Sequence, residues 1–152
     1  MLYCNLLQYM KTDKEPLERI RMRLHHVGIV VDNIDKKVAL YRRVVPVGFP
    51  SEIVYDEIQQ VRVAFVDAGN NVTLEFIEPG GEASPVIRAL RQGVNLHHLC
   101  YEVQDLGQAV AQAREAGALV VCEPVPARAF EGRRIAFVYS AVGGLTEFVE
   151  AL

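Results

Sequence analysis

Tryptophan is absent from this 152-residue chain, and cysteine occurs only three times, at Cys4, Cys100 and Cys122. The three are scattered and form no CxxC pair, which excludes a disulfide framework and points to a reducing cytoplasm. No apolar run approaches the length of a membrane span, so no membrane partner is expected. Charge of one sign is nowhere concentrated and the net charge is −3. A nucleic-acid partner, which demands a basic face, is therefore not expected. The opening stretch MLYCNLLQYMKTDKEPLERIRMR lacks a basic n-region followed by a clean apolar segment, so it does not read as a signal peptide. Pro16 and the mixed charges mark residues 1–22 as an N-terminal extension, and Met22 could serve as a natural start. Residues 23–152 then form one domain. Its composition, 51% hydrophobic and 23% charged over the whole chain, is that of a soluble globular protein. A chain of this length can bury a useful core without disulfides.

What the sequence does have is a repeat. LHHVGIVV (Leu24 to Val31) returns as LHHLCYEV (Leu96 to Val103), 72 positions later. The same shift carries Val38, Ala39 and Arg42 onto Val110, Ala111 and Arg114. It carries RVAFV (Arg62 to Val66) onto RIAFV (Arg134 to Val138), and EFIE (Glu75 to Glu78) onto EFVE (Glu147 to Glu150). Four blocks in one register indicate a duplicated module. Each copy reads as strand, helix and three strands. HHVGIVV is followed by a helical pattern with apolar residues at Ile34, Val38, Tyr41 and Val45, capped by Asp32 or Asn33. EIVYDE, QVRVAFVDA and NVTLEFIE follow as strands, with the Gly-Asn-Asn turn between the last two. In the second copy, DLGQAVAQAREAG is the helix, closed by Gly117, and LVVC, RIAFVYS and LTEFVEA are the strands. The modules run over about 23–80 and 95–152, joined by a linker helix at about 84–92. The expected fold is α+β, with two tandem βαβββ modules.

The duplication also pairs residues able to ligate a metal, His26 with His98 and Glu75 with Glu147. Strand alternation puts His26 and His25 on opposite faces. Each glutamate stands in a largely apolar strand, where a carboxylate is costly unless paired or bound to a metal. Two imidazoles and two carboxylates suit one divalent ion such as Zn, Co, Ni or Mn, with solvent positions left for a substrate. Cys100 shares the parity of His98 and could face the same cavity, although cysteine is usually a small core residue. Arg128, Arg133 and Arg134 could meet a phosphate or carboxylate, and Tyr41 belongs with the core.

These motifs resemble the vicinal oxygen chelate superfamily, which includes glyoxalase I, methylmalonyl-CoA epimerase, fosfomycin-resistance enzymes and extradiol dioxygenases. The resemblance spans Leu24 to Leu152 and is strongest to the epimerase branch. It is carried by HHVGIVVDNIDKKVALYRRV, by LEFIEPGGEASPVIRAL with GVNLHHLCYEV, and by GRRIAFVYSAVGGLTEFVE. It implies a cupped, partly closed mixed sheet around one metal held by His26, Glu75, His98 and Glu147, with His25 and His97 outside the ligand set. It also implies a homodimer. The chain departs from the epimerase pattern at Gln60, in ARAFEGRR (Ala127 to Arg134) and at Pro46. The implied activity is an enolate-forming proton transfer beside the carbonyl of a small carbonyl compound or acyl thioester, with Glu75 and Glu147 as base and acid. A glyoxalase-like lyase and a non-catalytic drug- or metabolite-binding module of the same fold are the alternatives. Ring-opening Fe(II) chemistry wants two histidines and one carboxylate, so the second glutamate speaks against it.

Overall fold

The computed structural model describes residues 22–152. Residues 1–21, which make up nearly all of the expected N-terminal extension, lie outside the described residues. The first module comprises strand β1 (Arg23–Val30), helix α1 (Ile34–Val44) and strands β2 (Val54–Asp56), β3 (Val61–Asp67) and β4 (Thr73–Pro79). A short helix α2 (Ile87–Arg91) lies in the connector. The second module comprises β5 (Leu96–Val103), α3 (Leu106–Glu115), β6 (Leu119–Pro126), β7 (Arg134–Ser140) and β8 (Gly144–Glu150), with a 3-10 turn at Arg128–Phe130. The expected βαβββ order therefore appears twice. No helix among the described residues is long and apolar enough to cross a membrane.

All eight strands form one mixed sheet in the order β2-β3-β4-β1-β5-β8-β7-β6. The order reads the same in each module when counted outward from the centre. Strand β1 pairs parallel with β4, and β5 pairs parallel with β8. The two modules meet where β1 runs antiparallel to β5. The outermost strand β6 contains Pro124 and Pro126, which an edge tolerates because one row of its backbone groups has no ladder partner.

The helices cover one face of this sheet, and the repeat explains how. Val31, Ile34, Val38, Ala64, Val66, Leu74 and Phe76 form one buried cluster around α1. Val103, Leu106, Ala109, Val110, Ala136, Val138 and Phe148 form its counterpart around α3. Six residues of the first cluster have a counterpart in the second at the 72-residue shift; Leu74 alone maps onto a residue outside it, Thr146. Full burial of each large aliphatic contributes roughly 1.5–3 kcal/mol, so the helix faces are the main anchor of each module. Tyr41 packs at the edge of the first cluster, in the core as expected. The matched RVAFV/RIAFV and EFIE/EFVE blocks have an added cause. Arg62 pairs with Glu78 across β3 and β4, and Arg134 with Glu150 across β7 and β8, at 2.7 and 2.6 Å. Glu78 also accepts the backbone N–H of Ile34 at 2.8 Å and so ties the start of α1 to β4.

Both helices begin on a side-chain cap. Asn33 accepts from the backbone of Lys36, and Asp105, its counterpart, accepts from Gln108, each at 2.9 Å. Helix α3 closes with Gly117 at φ +89°, where the N–H groups of Ala118 and Gly117 reach back to the carbonyls of Ala113 and Arg114. That left-handed position is open to glycine at little cost. Replacing either cap, Asn33→Ala or Asp105→Ala, is expected to lower stability by about 1 kcal/mol, read as a lower urea midpoint at unchanged slope.

Candidate metal centre

The other face of the sheet is concave, and its four central strands carry the four expected donors. The register brings them together: Gly28 of β1 lies opposite Glu75 of β4 on one side and His98 of β5 on the other. Cys100, the counterpart of Gly28, lies between His26 and Glu147 in the same way. All four donor residues are buried. His26 Nε2 stands 3.1 Å from His98 Nε2, 3.2 Å from Glu75 Oε2 and 3.0 Å from Glu147 Oε2. His98 Nε2 stands 3.5 and 3.1 Å from the same two oxygens.

Such spacing suits ligands of a single ion, because adjacent donors held at about 2.1 Å from a metal lie ~3 Å apart. The hydrogen-bond balance points the same way. Two ring nitrogens facing each other at 3.1 Å can hold only one proton between them. Glu147 Oε2 is buried beside the same two nitrogens, at 3.0 and 3.1 Å, and competes with them for that single proton. Burial alone would lower the pKa of His26, but the charge of Glu75 and hydrogen bonds to Glu147 and Glu75 raise it to about 10. Burial would raise Glu147, but its bonds to His26 and His98 hold it below the usual carboxylate range. A positive charge is therefore favoured at the centre of the set, and two nitrogens with two oxygens suit a borderline divalent cation.

The histidine doublets depart from simple strand alternation. The β1–β5 register slips between Leu24 and His26, which leaves His25 as an extra residue on β1. It slips again between Gly28 and Ile29, which leaves His97 extra on β5. A bulge of this kind re-aims a side chain. His25 and His97 are consequently not turned away from their neighbours, as alternation alone requires. Their Nδ1 atoms lie 3.0 and 2.9 Å from Nδ1 of His26 and His98. Burial, reinforced by the charge of the adjacent ring, lowers the pKa of His25, and the same causes push His97 down to about 4. Each outer ring is thus kept neutral and can accept a proton bond at Nδ1. That contact orients the inner ring so that its Nε2 faces the centre.

A cavity of about 470 Å³ opens onto this set. Its walls are mainly apolar, including Val63, Ile77, Phe130, Ile135 and Phe137, and Glu75, Glu147, His97 and His98 lie among its lining residues. No arginine among the described residues lines it. Arg134 is paired with Glu150, and Arg133 bonds Glu102 and the Glu150 carbonyl at 3.3 and 3.1 Å. Arg128 is exposed beside Glu57 at 3.8 Å. Cys100 is fully buried among Ala127, Phe130, Ile135 and Val149. Burial, with the nearby Glu147 charge, pushes its thiol pKa up, which makes it an inert packing residue. Phe130 and Asp56 were not legible as site residues. Phe130 stacks on His26 at 5.7 Å between centroids and 17° between planes. The buried Asp56 lines the cavity and takes only backbone donors. Their placement depends on the pairing of distant turns, for which a single chain carries no periodic signal.

Residues 25–137 match the family model of the Glyoxalase/Bleomycin resistance protein/Dioxygenase superfamily. The chain belongs to that superfamily. Within it, the chain is 32% identical over 121 residues to the ethylmalonyl-CoA/methylmalonyl-CoA epimerase of Cereibacter sphaeroides, covering 77% of this chain and 87% of that protein. The mitochondrial methylmalonyl-CoA epimerase of Bos taurus is 29% identical over 126 residues, covering 81% of this chain and 70% of that one. Among solved structures, a methylmalonyl-CoA epimerase variant of Streptomyces coelicolor in complex with 2-nitronate-propionyl-CoA matches with a TM-score of 0.73 at 28% identity, over 85% of this chain and 94% of the other. The Mycobacterium tuberculosis epimerase matches with a TM-score of 0.73 at 25% identity, over 85% and 87%. The curled sheet is the vicinal oxygen chelate fold of these enzymes, as the motifs implied.

Gly28 shows how little room the set has. A Cβ built on it would be driven into the His98 ring. Gly28→Ala is expected to displace that ring and lower stability by about 1–3 kcal/mol, as overpacking does. Thermal unfolding and a crystal structure of the variant test this.

Proposed function

We propose that the protein is a metal-dependent epimerase of acyl thioesters, transferring a proton at the carbon beside the thioester carbonyl. The observation that carries this reading is the placement of Glu75 and Glu147 on β4 and β8, on either side of the strands bearing His26 and His98, beneath a mainly apolar cavity. The relatives named as methylmalonyl-CoA and ethylmalonyl-CoA epimerases support the substrate class. His26, Glu75, His98 and Glu147 would hold one divalent cation, Zn, Co, Ni or Mn. When bound, such an ion supplies Lewis-acid stabilisation of negative charge developing on substrate oxygens.

The chain's own residues do the rest. Glu75 and Glu147 approach from the two modules, so one can remove the α-proton and the other return one to the opposite face. The apolar walls formed by Val63, Ile77, Ile135 and Phe137 keep bulk water from the reacting carbon. His25 and His97 hold the inner imidazoles in one orientation throughout.

The deciding experiment incubates the metal-loaded protein with methylmalonyl-CoA and ethylmalonyl-CoA in heavy water, followed by mass spectrometry and chiral analysis. Deuterium uptake with stereoinversion is expected. Glu75→Gln and Glu147→Gln should each reduce it by roughly 10²- to 10⁴-fold, the usual worth of a positioned acid or base. An inert parent would replace this reading with a lyase or a binding module, and fully active variants would end the two-carboxylate mechanism.

Metal content gives a second test. His98→Ala is expected to lose stoichiometric ion binding, measured by mass spectrometry, and retention of the full ion would remove His98 from the ligand set. A third test uses pH. In the metal-free protein the pKa of His26 is raised from 6.5 to about 10, so its proton stabilises the fold fully below pH 6.5 and that contribution is lost as pH rises through 10. An incoming ion must displace that proton. Binding at pH 7 should therefore release protons, and affinity should rise from pH 6 to 9; calorimetry in buffers of differing ionisation enthalpy measures both.

A further inference from the structure

We propose that Asp56 is a positioning residue that fixes the His26 ring through the second module's turn carrying Phe130, and so sets one metal ligand from the far edge of the ligand's own half of the fold. The inference rests on His26 belonging to the donor set described above.

Asp56 ends strand β2, the outermost strand of the first module. It is 2% exposed, and its carboxylate has no cationic partner among the described residues. Three backbone N–H groups satisfy it instead. Oδ1 accepts from Ile58 and Gln59, both at 2.9 Å, and holds the turn that follows β2. Oδ2 accepts from the backbone of Arg128 at 2.7 Å, across to the second module. Three of its roughly four lone-pair directions are thus taken by backbone donors, although it lines the cavity. A carboxylate accepting from backbone donors makes hydrogen bonds about twice as strong as neutral ones.

Arg128 opens the 3-10 turn Arg128–Phe130. The turn is stiffened by its own bonds, from Gly132 and Phe130 to the Ala127 carbonyl and from Arg133 to the Phe130 carbonyl. Fixing the N–H of Arg128 therefore fixes Phe130. That ring lies parallel to His26, edge-on to His25 at 5.5 Å, and against Phe65 at 5.6 Å. The internal symmetry isolates the effect. Phe65 touches His26 and its counterpart Phe137 touches His98, so both inner histidines have one such neighbour. The counterpart of Phe130 is Ile58, which is 59% exposed. Among the described residues only His26 has the second, stacked ring, and that ring is tethered by Asp56.

Two variants cut the same bond from opposite ends. Asp56→Asn can keep an oxygen on Ile58 and Gln59 but turns an N–H donor toward the N–H of Arg128. Arg128→Pro removes the donor and, besides it, only an exposed side chain whose weak pairing with Glu57 lies away from the rings. The first position of a 3-10 turn accepts proline, and Ala127 already has the extended conformation that a following proline requires, at φ −121° and ψ 128°. The readouts are the side-chain resonances of the chain's four histidines in the metal-free protein and the affinity for Co(II). Each variant should shift the His26 and His25 ring signals by a few tenths of a ppm and leave those of His97 and His98 near their parent positions. Co(II) affinity should fall about 10- to 100-fold, the usual loss when a group orienting a ligand is removed. In the double variant the two donors no longer oppose each other, so its losses should not exceed those of the single variants. Phe130→Leu should move the same two histidines without the Asp56 bond being touched. Unmoved His26 signals in both folded single variants would overturn the proposal. Equal movement of all four histidines would also overturn it, by reducing Asp56 to a structural clamp. Shifted His26 signals at unchanged Co(II) affinity would overturn the link from ring position to the ligand set, whereas a parent that binds no Co(II) would refute the metal reading itself.

Discussion

Two carboxylates drawn out of water into one concave face are the constraint around which this molecule is built. Unpaired, each would cost several kcal/mol or take up a proton instead. Here Glu75 and Glu147 converge on the Nε2 atoms of His26 and His98 within 3.5 Å. That convergence demands the strand order found at the centre of the sheet, β4-β1-β5-β8, in which each parallel pair brings a glutamate beside a histidine strand. The antiparallel seam between β1 and β5 then brings the two halves of the set face to face. The apolar helix faces lie on the other side of the sheet, where they anchor each half without entering the site.

The bulges at His25 and His97 complete the arrangement. Regular strands would leave the inner imidazoles free to rotate and both tautomers open. One inserted residue per strand supplies a neighbouring ring whose Nδ1 fixes the orientation, and partial burial keeps that neighbour uncharged. The repeated His-His spelling in the sequence therefore records an inner imidazole of the buried set and its orienting partner, written side by side because a bulge brings consecutive residues to the same place.

The duplication made most of this readable beforehand. One offset related the strands, the helices and the four donors, and in the structure the caps Asn33 and Asp105, the two core clusters and the cross-strand pairs Arg62–Glu78 and Arg134–Glu150 obey the same offset. Each element, cap, cluster and pair depends on contacts inside a module, and each donor on its place in one, so each is spelled twice. The features that escaped are those written once. Strand parity misdirected His25 and His97, because a bulge is set by the register between two strands and not by the periodicity of either. The bond from Asp56 to Arg128 joins one half to the other, and the stacked Phe130 answers to an exposed isoleucine in the first half. Broken symmetry leaves no repeat to find, and it is concentrated around the cavity.

The seam between β1 and β5 has a bearing on how the chain folds. Each module contributes one imidazole and one carboxylate, so neither contains more than half of the donor set. The two halves behave as a dimer whose subunits are joined by the linker around α2, and the four donors exist as a group only after the halves have docked. An ion gripping all four would bind the docked form and neither separate half, and would by mass action act as a staple across the seam. Docking closes a loop of about 70 residues, whose entropic cost grows only slowly with length. An unfilled site would then loosen first at the junction of the halves and last beneath the helices, where each half keeps its own core.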